Sequence, residues 1–116
     1  MFDLDGVLLN SRENMCYAWK KAAATAGIEV GFEAYFKEIG RPFQTILQRI
    51  GVTDPDHVIE STFRVASMER MDLLSFYPYV KRVLSQLSSE GFKIGIVTSK
   101  DKMRTNAIIA MLAVDF

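Results

Sequence analysis

Asp3 and Asp5 stand on either side of Leu4 and lead straight into Gly6, within Phe2-Asp3-Leu4-Asp5-Gly6-Val7-Leu8. In an extended backbone alternate side chains share a face, so both carboxylates can point into one pocket while Leu4 faces a core. Gly6 lets the chain turn sharply there and approach a ligand closely. The first element expected is therefore a strand that ends in an acid pair and a turn. Two neighbouring carboxylates repel unless a proton or a cation sits between them. Mg²⁺ suits that need, because it binds one or two carboxylates plus phosphate oxygens and keeps several waters. Asp3 and Asp5 are thus candidate metal ligands.

The same pair has a second chemical use. A carboxylate can attack phosphorus to form an aspartyl-phosphate, and a neighbouring acid can protonate the leaving oxygen and then deprotonate water. These roles fall to Asp3 as nucleophile and Asp5 as acid/base. Other readings of the four residues stay open: Asp and Gly favour exposed turns, and some sugar-nucleotide transferases bind metal through Asp-x-Asp. An EF-hand does not fit, since the glycine comes too early and Asn14 stands where the bidentate Glu is needed.

The 116 residues suffice for one modest domain, or a small domain plus part of another. Fourteen basic residues balance fourteen acidic ones with no basic block, so neither nucleic acid nor anionic membrane is an expected partner. No apolar run reaches membrane-spanning length and no signal-peptide pattern opens the chain. Cys16 stands alone, which excludes an internal disulfide and suits a reducing, cytoplasmic setting. A hydrophobic content of 49% argues for a packed core rather than disorder.

Helical signals follow the acid pair. Asn10 and Glu13 have capping-box spacing, and Met15, Ala18, Trp19, Ala22 and Ala26 trace one face up to Gly27. A second helix is predicted over Phe32 to Ile39, then a break at Gly40 and Arg41. Pro42 suits the first position of a third helix reaching about Ile50. Thr53-Asp54-Pro55 opens a fourth, burying Ile59, Phe63 and Ala66 and extending to Leu73 or Leu74. After Tyr77-Pro78, Val80, Val83, Leu84 and Leu87 mark a helix ended by Gly91. Phe92 to Thr98 reads as a parallel strand buried on both faces, and Asp101 caps a last helix through Ala113. The order strand, helices, strand, helix indicates an α/β core with an all-helical insertion from about Ser11 to Ser75.

Phe2 to Ser11 (FDLDGVLLNS) resembles the first motif of the haloacid dehalogenase (HAD) superfamily, with Asn10 where relatives usually carry Asp. Gly95-Ile96-Val97-Thr98-Ser99-Lys100 is similar to its second motif, where a hydroxyl and backbone N–H groups at a strand-to-helix turn cradle phosphate. Tyr77-Pro78-Tyr79-Val80 resembles the return from an inserted helical cap, as in the branch containing phosphoglycolate phosphatase and β-phosphoglucomutase. The resemblance implies a partial Rossmann-like core of parallel strands, residues 1–10 and 76–116, with a helical cap at 11–75. It further implies a Mg²⁺-dependent phosphatase acting on a small phosphorylated metabolite, with Thr98 and Ser99 binding phosphate. Arg41, between two cap helices, is the candidate substrate contact, against a plain surface role. His57 reads as a surface residue, and Lys100 as a turn support or a solvated side chain.

The family's third-motif Lys and fourth-motif acid pair have no match here, and Asp115 does not replace them. Only Met1 and Phe2 precede Asp3. The expectation is a fragment, whose uncovered core surface would favour self-association. Two alternatives accompany the phosphatase: a phosphomutase of the β-phosphoglucomutase kind, and a catalytically incomplete chain serving as a helical interaction module.

Overall fold

The computed structural model describes residues 2–3, 5–6, 8–93, 95–98 and 100–112. The chain divides into two compact units, 1–10 with 75–116, and 11–74.

The first unit is built on parallel pairing. Strand β1 (Phe2–Asp3) lies beside β4 (Ile96–Val97), with Phe2 opposite Ile96 and Asp3 opposite Val97. Past β1 the chain turns at Gly6, whose φ of 81° is open to glycine and costly for most other residues. The Gly6 N–H donates to the Leu9 carbonyl at 2.9 Å and closes that turn. Strand β2 (Leu9–Asn10) then pairs antiparallel with β3 (Ser75–Phe76), so Asn10 and Ser75, where the chain leaves the unit and returns, are register partners. Helix α5 (Val80–Ser89) buries Val80 and Leu84 but leaves Val83 exposed. It ends before Gly91, at φ 85°. Helix α6 (Lys102–Leu112) buries Ile108.

The second unit is all helix: α1 (Arg12–Ala26), α2 (Phe32–Phe36), α3 (Phe43–Arg49), α4 (Val58–Glu69) and a short 3₁₀ turn at Met71–Leu73. Helices α1 and α4 form its main packing pair, with Met15, Ala18, Trp19 and Ala22 meeting Ile59, Phe63 and Ala66 in one core. Aromatic rings fill the centre. Tyr35 stacks on Trp19 at 4.9 Å between centroids and tilts against Phe63 at 5.3 Å. The Trp19 indole N–H finds the Val30 carbonyl at 2.7 Å, so the buried ring carries no orphaned donor.

Several expectations need correction. Asn10 belongs to β2, so the capping box with Glu13 does not form; Ser11 takes the cap position of α1, and its hydroxyl donates to Sδ of Met15 at 3.8 Å. Ala23 is buried in place of Ala26, which is exposed. Helix α2 stops at Phe36 because Ile39, Gly40 and Arg41 form a tight reversal, with Gly40 at φ 103°. Helix α4 starts at Val58, later than Pro55 suggested, and ends at Glu69 rather than near Leu74. Strand β4 covers only Ile96–Val97, and Phe92, expected to be buried, is exposed. Ala113 and Asp115 lie outside the described residues. Among the described residues no helix is long and apolar enough to cross a membrane.

Candidate functional site

Parallel register decides where the chemistry-bearing residues fall. With Asp3 opposite Val97, the residues that follow β1 and those that follow β4 emerge at the same end of the strand pair. Open α/β sheets bind ligands at this carboxyl end. Asp3 closes β1, Asp5 follows in the bridge to Leu9, and Thr98 and Lys100 follow β4. Ser99 lies outside the described residues.

Lys100 is where expectation and structure part most sharply. Its side chain is 2% exposed, not solvated, and its Nζ lies 3.6 Å from Oδ1 of Asp5, whose side chain is 17% exposed. Burial pushes the Lys100 ammonium below its ordinary value, opposed by Asp5, reinforced by Arg104 and opposed again by Asp101. The turn that carries it is firmly tied. The Lys100 N–H donates to Oγ1 of Thr98 at 3.1 Å, and the Arg104 N–H donates to Oδ2 of Asp101 at 3.1 Å, the cap expected for α6. The Arg104 guanidinium also pairs with Asp101. Thr98 accepts in its bond, so its hydroxyl proton is not consumed there.

The sequence held one signal for Lys100: a cation two residues past Thr98, at the end of an apolar strand, in a chain whose acid pair needs a countercharge. Its surroundings, Ser99-Lys100-Asp101-Lys102, disguised it as a polar turn.

The donor set can be tested against a metal. Among the described residues no three His, Cys, Asp or Glu side chains gather into a closed cage. A partly exposed carboxylate such as Asp5 suits Mg²⁺, which takes few protein ligands and leaves the rest of its shell to water and phosphate. Hard oxygen donors fit this ion; a thiolate or imidazole site would not.

Arg41 lies in the helical unit. Its Nε donates to Oε2 of Glu38 at 3.0 Å, and Nε of Arg49 donates to the same oxygen at 2.7 Å. Hydrogen bonding from Arg49 holds the Glu38 carboxyl below its usual range; burial opposes this and Arg41 reinforces it. His57 is exposed, as expected, with φ of 56° at the start of α4. A shallow groove of about 300 Å³ between α1 and α4 is lined by Lys21, Thr25, Ser61, Thr62, Val65, Ala66 and Glu69, and none of the candidate residues reaches it.

Comparison with known proteins adds the lineage. The profile of the haloacid dehalogenase-like hydrolase family matches residues 1–115. The chain is 30% identical over 101 residues to a Clostridium perfringens protein named for pyrophosphatase activity, PpaX, covering 86% of this chain and 47% of that one. It is 27% identical over 118 residues to a phosphoglycolate phosphatase of Aquifex aeolicus, covering 97% and 54%. Among solved structures, a hydrolase from Pseudomonas syringae superposes with a TM-score of 0.88 at 24% identity, covering 99% of this chain and 55% of that one. A Clostridium acetobutylicum protein described as a predicted phosphatase gives 0.84 at 25%, covering 97% and 54%. The chain spans about half the length of the curated relatives it matches. The fold is accordingly that of this lineage: a partial α/β core joined to a helical unit.

Proposed function

The chain belongs to the haloacid dehalogenase-like hydrolases, and on that premise we propose that it serves a Mg²⁺-dependent phosphatase of small phosphorylated metabolites. The observation that carries this reading is the parallel β1–β4 register, which sets the segment holding Asp3 and Asp5 beside the Thr98–Lys100 turn. Phosphatase names among the relatives support the reaction class.

In this reading an oxygen of Asp3 attacks phosphorus, the ester P–O bond breaks, and the leaving oxygen takes a proton from Asp5. Asp5 then removes a proton from water, which attacks the acyl phosphate and releases inorganic phosphate with Asp3 restored. Thr98, and Ser99 beside it, donate hydrogen bonds to the phosphoryl oxygens. Asp3 and Asp5 would hold the Mg²⁺, which when bound offsets negative charge on the transferring group. The helical unit, residues 11–74, serves as a cap, and Arg41 is the candidate contact for a substrate anion. The reducing cytoplasm remains the proposed compartment, from the lone Cys16.

Phosphate release from a panel of phosphomonoesters, measured on the complete gene product, tests this function. Asp3→Asn is expected to abolish turnover, and Asp5→Asn to lower kcat by about 10²–10⁴-fold. Equal release by wild type and Asp3→Asn would refute the reading. Conversion of a hexose 1-phosphate to its isomer without free phosphate would identify a mutase instead.

A further inference from the structure

The Asp5 carboxylate has two oxygens, and a proton-transfer group works only if one of them is held toward the reacting atom. An ion pair with Oδ1 can impose that orientation, provided the cation itself is fixed. Lys100 meets the condition. Its side chain is almost wholly buried, and its Nζ stands 3.6 Å from Oδ1. Its backbone is tied on both sides, by its own N–H to Thr98 Oγ1 at 3.1 Å and by the Thr105 hydroxyl donating to its carbonyl at 3.5 Å. A solvated lysine would spread over many rotamers; this one carries its charge to one place.

Building on the phosphatase reading, we propose that Lys100 is a positioning residue for Asp5, its ion pair with Oδ1 fixing the orientation of the carboxyl group for proton transfer to the leaving oxygen and then from the attacking water. Lys100 moves no proton itself. Its charge also lies beside Asp5, in a proposed site whose two acids and phosphoryl dianion together carry more negative charge than one divalent ion offsets. A buried ammonium at such a point needs that company, because an unpaired charge is expelled from a dry interior.

A double-mutant cycle on the complete gene product, read as kcat and KM, tests the proposal. Lys100→Met is expected to lower kcat by about 10²-fold while KM stays within about threefold, because orientation of the acid matters in the transition state. In an Asp5→Asn background the same change is expected to alter kcat by less than about threefold, since a residue that acts through Asp5 has nothing left to position. Lys100→Gln, which keeps a polar end in the pocket, carries the same comparison if the Met variant does not fold. Unchanged kcat in the Lys100 variants, or an equal fold-loss in both backgrounds, would overturn the proposal while the phosphatase reading stands. A wild type without Asp3-dependent turnover would remove both.

Discussion

A buried ammonium is among the least tolerated groups in a protein interior, and its presence demands a partner. Lys100 has one in Asp5. Local sequence could not reveal this, because the burial of Lys100 depends on pairing between strands more than ninety positions apart in the chain. The acid pair was singled out on the opposite kind of signal: alternation around Leu4 and the glycine after the pair are purely local. Asn14 repeats the lesson in the helical unit. Nothing in its local sequence marks Asn14 for the interior, yet it is fully buried. Its Nδ2 donates to the carbonyls of Ser67 and Arg70, both at 2.9 Å, and its Oδ1 accepts from the Ser67 hydroxyl at 2.7 Å. Removing it takes these bonds from the Ser67 carbonyl and hydroxyl at the end of α4, while the Arg70 carbonyl keeps the Leu73 N–H at 3.0 Å. Asn14→Ala is expected to lower unfolding free energy by about 2–3 kcal/mol in urea titration; a loss within about 0.5 kcal/mol, typical of a surface change, would show that these bonds contribute little.

Apolar periodicity located the helices well, and their boundaries were set by contacts that it does not encode. The residues expected to bury on α4, Ile59, Phe63 and Ala66, all do so. The helix nevertheless starts three residues past Pro55, because Asp54 caps it from a distance: Oδ1 accepts from the Ile59 N–H at 3.0 Å and Oδ2 from the Glu60 N–H at 3.1 Å. Burial works against ionisation of Asp54, but the Ile59 N–H, Gln44 and further amide donors outweigh it and hold its carboxyl below the usual range. A depressed folded value means the cap's contribution is whole above the unfolded value of about 3.9 and fades as pH falls through the lower folded one. Asp54→Ala should therefore cost about 1 kcal/mol at neutral pH, and the gap from wild type should close in strong acid. A gap that persists unchanged there would mean the carboxylate is not its source. In the core between α1 and α4, Phe63 is fully buried against Tyr35 and Phe43. Phe63→Ala is expected to cost about 3–5 kcal/mol by denaturant titration.

At the scale of the molecule, the order of elements was enough to separate an α/β part from a helical part, and parallel β1–β4 pairing agrees with the fold class expected. The antiparallel pair β2–β3 was not foreseen, since two-residue strands carry no periodicity to detect. The core of the helical unit is self-contained: every buried residue of its cluster falls between Met15 and Ala66. Chains of this size can fold alone. Residues 11–74 expressed by themselves should melt cooperatively, and a featureless, non-cooperative melt would show that the unit depends on the rest of the chain. The proposed chemistry falls in the other unit, where the ends of two parallel strands carry the acid pair, Thr98 and Lys100. Fluorine NMR of the complete gene product with beryllofluoride and Mg²⁺ tests that assignment most directly. A bound-fluoride signal that disappears in Asp3→Asn is the expected result; a wild-type protein that takes up no beryllofluoride, or an Asp3→Asn variant that binds it equally well, would contradict phosphoryl transfer at Asp3.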